Sequence, residues 1–334
     1  VGDEGNGRDD GGDGRDGTPA VRTRHRGIVA GACTVVAAVV AAVLLAVSCG
    51  SGSDGDGDGA SGDARGTASE PRPARSPTPA PTPTPTPEWD TSPGSLAALG
   101  DSITRGYDAC SLLADCPAVS WATGTSPEVD SLAARLDIPA TARWNLARSG
   151  ALMAGLPAQA ERAAAHRPEL VTVLIGANDA CRPSVGEMTP VDEFRADFAE
   201  ALRTLRRDSP DTRVYVAGIP DLERLWSVGR DHPLAPQVWQ LGICPSMLAD
   251  PAAEDPVAVE RRAAVAARVR AYNTALREVC AGDPRCRHDG GAVHEYRFTT
   301  RELSTWDWFH PGTAGQRVLA GIAHRHITAG RPPA

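Results

Sequence analysis

The sequence predicts an α/β fold built on a parallel sheet. Three observations carry this. Residues 170–175 form an unbroken apolar run that ends on Gly176, the pattern of a strand buried on both faces. Short apolar runs alternate with helical stretches from residue 95 to 328. Residues 1–93 are too rich in Gly, Asp, Thr and Pro to join a core, which leaves one domain at 94–334.

In chain order, residues 95–99 read as a buried first strand feeding a tight turn at Gly100. Ser126-Pro127-Glu128 offers an N-cap, a first-turn proline and a first-turn acid for a helix reaching about residue 136. A second strand at 143–146 ends at Ser149-Gly150, and 152–166 is helical by composition. The third strand, 170–175, runs into Gly176-Ala177-Asn178-Asp179. Thr189-Pro190 opens a helix to about residue 207, followed by a fourth strand at 213–217. Residues 218–250 show no period, and long segments at the edge of a sheet often shape a substrate site; the section from Ser102 to Cys116 and the loop from Leu222 to Ile243, with Trp226 and Trp239, are the candidates for setting acyl or alcohol preference. Helices at 256–280 and 313–328 complete the domain.

The chemistry gathers at two distant blocks. Ser102, in Leu99-Gly100-Asp101-Ser102, stands where an apolar strand stops. A hydroxyl is a poor nucleophile at its own pKa, so hydrolytic use of Ser102 requires a histidine base and a group to orient it. Asp307-Trp308-Phe309-His310 supplies both. Between them lie Gly150 and Asn178. Each residue alone has a plain reading: Ser102 as a helix cap, Asn178 as a turn former, Asp307 and His310 as a structural pair. Their joint occurrence points to chemistry.

Ser102, Gly150, Asn178 and His310, in that order and with Asp307 three residues before the histidine, resemble the SGNH (GDSL-type) hydrolase family, of the secreted or membrane-tethered bacterial esterase and lipase type. The resemblance covers residues 95–328. It implies a three-layer α/β/α sandwich around a flavodoxin-like sheet. It also implies that Ser102 is the nucleophile, His310 the base and Asp307 the residue that orients it. The oxyanion donors would be the backbone N–H groups of Ser102 and Gly150 and the side-chain amide of Asn178, with glycine at 150 permitting close backbone approach. A histidine base works only when neutral, so activity is expected to fall on acidification. The Gly-x-Ser-x-Gly elbow of α/β-hydrolases is missing from the sequence. His166, His324 and His326 read as structural or solvent-facing, and His288 and His294 carry no motif. Arg105, Arg148 and Arg182 serve either an anionic substrate or the fold.

All 34 basic residues are arginine, which excludes a P-loop lysine, a Schiff-base lysine and a Ser-Lys dyad. The net charge of -8 owes much to acidic, Gly-rich segments, and no basic stripe suggests nucleic acid. Nothing in the sequence requires a metal or an organic cofactor. Asp54-Gly55-Asp56-Gly57-Asp58-Gly59 starts like a calcium loop, but Arg65 stands where the bidentate Glu is needed.

Residues 1–21 read as a disordered tail. Arg22, Arg24 and Arg26 precede an uncharged run at 27–48, long enough to cross a bilayer, with the downstream chain outside. The run ends Leu45-Ala46-Val47-Ser48-Cys49, which resembles a lipobox with Cys49 as the lipidated residue. Lipoprotein, uncleaved anchor and free secretion all stay open, and the first two tether the protein to the membrane. Residues 50–93 read as a linker, its Thr-Pro repeats forming stiff polyproline II.

Of eight cysteines, six fall in the domain, which suggests disulfides in an exported protein. Sequence proximity pairs Cys110 with Cys116 and Cys280 with Cys286, leaving Cys181 for Cys244. The last bridge would pin the long segment beside Asn178. A zinc site from Cys280, Cys286 and His288 is the rival.

The expected function is extracytoplasmic ester hydrolysis, on a small-molecule, lipid or glycan ester. The sequence does not separate lipase, carboxylesterase, glycan deacetylase, thioesterase and phospholipase. The reading from another class is an envelope binding protein that uses the same scaffold without turnover.

Overall fold

The computed structural model describes residues 88–331. The tail at 1–21, the apolar run with Cys49 and the linker up to residue 87 lie outside the described residues. Among the described residues no helix is long and apolar enough to cross a membrane.

The elements follow in order: β1 Leu96–Gly100, α1 Ser102–Arg105, α2 Leu132–Arg135, β2 Arg143–Asn145, α3 Leu156–His166, β3 Leu170–Leu174, α4 Ala177–Ala180, α5 Val191–Asp208 and β4 Arg213–Val216. Then come α6 Leu222–Gly229, α7 Ala235–Trp239, α8 Pro245–Leu248, α9 Pro256–Ala281, β5 Cys286–His288, α10 Ala292–Glu295 and α11 Thr313–Thr328. The five strands are all parallel, in the order β2-β1-β3-β4-β5. The chain leaves β1 to one side and returns to the other, so the carboxyl ends of β1 and β3 flank the point where the winding reverses. Open α/β sheets bind ligands at that crevice.

Strand alternation splits the core in two. Leu96, Ala98, Leu170 and Tyr215 pack with Leu132 of α2 and Leu319, Ile322 and Ile327 of α11. Ala97, Leu99, Val171, Val173 and Val216 pack on the other face with Leu156 of α3, Phe194 and Phe198 of α5 and Val265 and Tyr272 of α9. Both faces are covered, which gives the three layers and explains why β1 and β3 are buried throughout and, Thr172 apart, carry no polar side chain.

Three elements differ from the expectation. Ser126 does accept the Glu128 N–H at 3.3 Å, but Asp130 turns left-handed at φ 52 and breaks the run. The helix starts five residues later, capped by Ser131, whose hydroxyl accepts the Ala134 N–H at 3.3 Å. The segment at 218–250 contains α6, α7 and α8 rather than an irregular loop. Strand β5, Cys-Arg-His, has no apolar run to announce it. Its Arg287 is buried because the guanidinium donates to the carbonyls of His326 at 2.8 Å and Ala329 at 2.7 Å. The same guanidinium lies 4.1 Å from the ring of Trp89, whose indole N–H donates to Ile327 O at 2.9 Å. Trp89, inside the segment expected to be linker, therefore packs on the domain.

Disulfides join Cys110 to Cys116, Cys181 to Cys244 and Cys280 to Cys286, the expected pairing. The bridge between Cys280 and Cys286 leaves no thiolates there for zinc. The bridge between Cys181 and Cys244 ties the end of α4 to the start of α8, beside Asn178.

Candidate active site

Three turns meet at the carboxyl edge of the sheet. The first follows β1. Gly100 sits at φ 149, and a Cβ there would stand 2.2 Å from the Leu174 carbonyl, so only glycine fits. Gln159 of α3 holds its peptide groups from both sides, accepting the Gly100 N–H at 2.8 Å and donating to the Gly100 carbonyl at 2.9 Å. Asp101 then caps α1 by accepting the Ile103 N–H at 2.9 Å, which sets Ser102 in the first turn. Gln316 of α11 donates to Ile103 O at 2.9 Å and fixes the turn from the far side.

The second turn follows β3. Asn178 donates its side-chain amide to Ala151 O at 3.0 Å, which places that amide against the Gly150 loop. The Arg148 N–H donates to Gly100 O at 3.1 Å, which brings the same loop to the end of β1. Asp179 is fully buried and joins the two pieces, accepting the Met153 N–H at 2.9 Å and the Thr189 hydroxyl at 2.7 Å. Gly150 adopts φ 77, and a Cβ there would meet nothing within 4 Å. The left-handed backbone is one reason for glycine there, and the side a Cβ would occupy is open.

The third turn precedes α11. Asp307 is 3% exposed, and one of its carboxylate oxygens accepts the N–H groups of Phe309 at 2.9 Å and His310 at 3.0 Å. Its other oxygen lies 2.5 Å from His310 Nδ1, and His310 Nε2 lies 2.8 Å from Ser102 Oγ. Trp308 between them turns left-handed at φ 50, which lets acid and base share one side of so short a segment. Trp239 is buried below and donates its indole N–H to Asp307 O at 3.0 Å.

Thus the structure brings Ser102, His310 and Asp307 into one line, with Gly150 and Asn178 on the neighbouring loop. It does not bring either candidate tryptophan into the pocket. Trp239 supports the Asp307 backbone, and Trp226 lies between the guanidiniums of Arg230 and Arg262, at 4.8 and 4.1 Å. From that segment Leu222 and Leu225 line the cavity instead. They are joined by Ile103, Ala177, Phe298, Leu303, Phe309 and Pro311 around a small, almost wholly apolar pocket of about 30 Å³ beside His310. Arg105 pairs with Asp115 at 2.9 Å and serves the fold. His326, read as structural or solvent-facing, is buried.

Two buried acids shift upward. Burial pushes Asp101 up to about 7, opposed by its bond from Ile103, by the nearby His310 and by the Gly176 N–H, which approaches the carboxylate short of full hydrogen-bond geometry; its second oxygen has no well-formed hydrogen bond among the described residues. Burial also raises Asp179, opposed by its bonds from Thr189 and Met153. Sequence reasoning gave no role to Gln159, Asp179 or Gln316. For the glutamines a signal existed: each falls on the buried face of an otherwise apolar helical pattern. Among the described residues, Asp108, Asp307 and His310 form the one grouping of three potential metal ligands, and both ring nitrogens of His310 are already engaged.

Among solved structures the chain is similar to a GDSL-like lipase from Parabacteroides merdae, at 19% identity over 73% of this chain and 100% of that one, with a TM-score of 0.42. It is similar to a catalytic mutant of an acetylxylan esterase from Geobacillus stearothermophilus, at 18% over 71% and 94%, with a TM-score of 0.45. It is also similar to a family two carbohydrate esterase from Clostridium thermocellum, at 13% over 73% and 64%, with a TM-score of 0.44. No curated protein matches the chain in sequence. The model of the GDSL-like lipase/acylhydrolase family matches residues 98–318, about two thirds of the 334. That span holds Ser102, Gly150, Asn178, Asp307 and His310, and the chain belongs to this family of carboxylic ester hydrolases.

Proposed function

We propose that the chain cleaves an ester bearing an apolar acyl group longer than acetyl, through an acyl-enzyme on Ser102, outside the cytoplasm. The observation that carries the reading is the continuous line from Ser102 Oγ to His310 Nε2 at 2.8 Å and from His310 Nδ1 to Asp307 at 2.5 Å. In the first half-reaction Ser102 Oγ attacks the carbonyl carbon while Nε2 takes its proton. Asp307 holds the other ring proton and stabilises the imidazolium. The oxyanion is met by the backbone N–H groups of Ser102 and Gly150 and by the Asn178 amide, whose second N–H is free to turn to it while the first is held by Ala151 O. Nε2 then returns the proton to the departing alcohol oxygen, and water repeats the sequence on the acyl-enzyme.

The pocket beside His310 supports the choice of acyl group. Its lining is apolar and its enclosed space of about 30 Å³ suits a short acyl chain, so only the first methylenes beyond acetyl enter, each worth about 0.8 kcal/mol, roughly a fourfold gain in kcat/KM. Three disulfides support an oxidising compartment, and the arginine-flanked run at 27–48 supports export with retention at the membrane, through Cys49 or an uncleaved anchor.

The test is hydrolysis of a p-nitrophenyl ester series from acetate to palmitate, with Ser102→Ala as control. Activity that climbs beyond acetate and disappears in the control is the expected result. An optimum at acetate replaces the reading with a deacetylase, and undiminished turnover by folded Ser102→Ala protein refutes the serine mechanism.

A further inference from the structure

Behind the line of reacting residues stands a second acid that the mechanism above does not use. Asp108 is 2% exposed, at the tip of the loop that leaves α1. One carboxyl oxygen from Asp108, one from Asp307 and a ring nitrogen of His310 all lie within 4.8 Å of one another. The loop that delivers it is built for that placement. Asp108 takes the left-handed conformation at φ 54, its N–H donates to Ala114 O at 3.0 Å, and its own carboxylate accepts the Leu113 N–H. The Ser304 hydroxyl donates to Asp108 O at 2.6 Å, while the Ser304 N–H donates to His310 O at 2.8 Å, so the loop and the histidine turn are stitched together. The disulfide from Cys110 to Cys116 closes the loop.

Two carboxylates cannot both carry charge in contact and out of water. Acceptor bookkeeping says which one keeps a proton. A carboxylate offers about four acceptor positions. Asp307 fills three, with the N–H groups of Phe309 and His310 and with His310 Nδ1. Asp108 receives one carboxylate bond, from Leu113. The better-solvated anion is Asp307. We propose that Asp108 is a positioning residue that stays protonated and donates its O–H to the fourth acceptor position of Asp307, extending the line to Ser102–His310–Asp307–Asp108. The proton remains on Asp108 through both half-reactions, so nothing is transferred. Its effect is to hold Asp307 as an anion aimed at Nδ1 and to temper its pull on the ring proton.

Burial and the Asp307 charge both raise the Asp108 pKa, in keeping with a proton retained there. The other titratable groups around the pair are Tyr107, 5.1 Å from the His310 ring, Asp115 paired with Arg105 at 2.9 Å, and His232, 4.7 Å from the Trp308 ring.

The inference rests on the proposed catalytic line, so the deciding measurement needs no substrate. NMR follows the His310 imidazole through its titration in wild type, Asp108→Asn and Asp108→Leu, with His310→Gln assigning the resonance. An amide replaces a protonated carboxyl without changing charge and still donates, so Asp108→Asn leaves the midpoint within about 0.3 pH unit and kcat/KM within about threefold. Asp108→Leu removes the donor and raises the midpoint by about half a unit or more, with kcat/KM lower on the order of tenfold. A fall of about one unit in Asp108→Asn means that a negative charge was removed, and overturns the proposal. So does an Asp108→Leu midpoint equal to wild type, the result of a merely structural role. Should Ser102→Ala keep hydrolysing esters, the catalytic line fails while the midpoints still judge Asp108.

Discussion

Asp101 adjoins Ser102 and Asp307 adjoins His310, both acids are buried, and their surroundings differ. Asp307 accepts two backbone N–H groups and the ring of His310. Asp101 accepts the Ile103 N–H on one oxygen and leaves the other without a well-formed hydrogen bond among the described residues. Burial is the same cost for both, and the number of donors decides what each can do. Burial with few donors pushes Asp101 up to about 7.

Breaking the supplied end has the largest expected effect. Asp307→Asn keeps the shape but turns an N–H toward Nδ1, which favours the wrong tautomer. By analogy with other serine triads, kcat falls on the order of 10³- to 10⁴-fold, with the fold retained by circular dichroism. A loss below tenfold would show that His310 is oriented by something other than Asp307.

Asp179 lies between the two extremes, with two bonds and a raised pKa. In Asp179→Asn one of its donors meets an amide N–H in place of an oxygen, at a cost of about 1–3 kcal/mol in urea unfolding. The Gly150 loop then shifts against Asn178, and kcat drops by up to about 100-fold. That stays below the roughly 100- to 1000-fold expected when Asn178→Ala removes an oxyanion donor outright. A stable Asp179→Asn protein with wild-type kcat would mean that the two loops are held by other contacts.

What was legible in the sequence follows the same division. Ser102, Gly150, Asn178, Asp307 and His310 could be read because each lies in a short block at the end of a strand or before a helix. The bounds of α5, α9 and α11 could be read, the first two with Pro190 and Pro256 marking their starts. The residues that hold the blocks in place could not, because they act across the chain: Gln159 on Gly100 over 59 residues, Asp179 on Met153 over 26, Gln316 on Ile103 over 213. A glutamine in a helix does not name its partner. Trp239 illustrates the opposite error, an aromatic residue in a long segment taken for a specificity element when its indole supports the Asp307 backbone. At Gly150 a second reason for glycine, the positive φ, shows only once the loop is closed.

The smallest effect on rate, and the most direct measure of the contrast, belongs to Asp101. An unfolded aspartate ionises near 3.9, whereas Asp101 in the fold does so at about 7. Between those two values the folded protein holds a proton that the unfolded chain has released, so stability falls as pH rises from about 4 to about 7 and is level beyond. The gap between the two values corresponds to a penalty on the order of 4 kcal/mol when Asp101 is charged. Asp101→Asn keeps the acceptor for Ile103 and abolishes that penalty. It should therefore be more stable than wild type at pH 8 by up to a few kcal/mol, with the difference shrinking toward zero near pH 4. Urea midpoints for wild type and Asp101→Asn at pH 5 and pH 8 decide the matter: if Asp101→Asn shows no pH-dependent gain, the second oxygen of Asp101 finds a donor in solution, and the two acids are alike in their supply of donors after all.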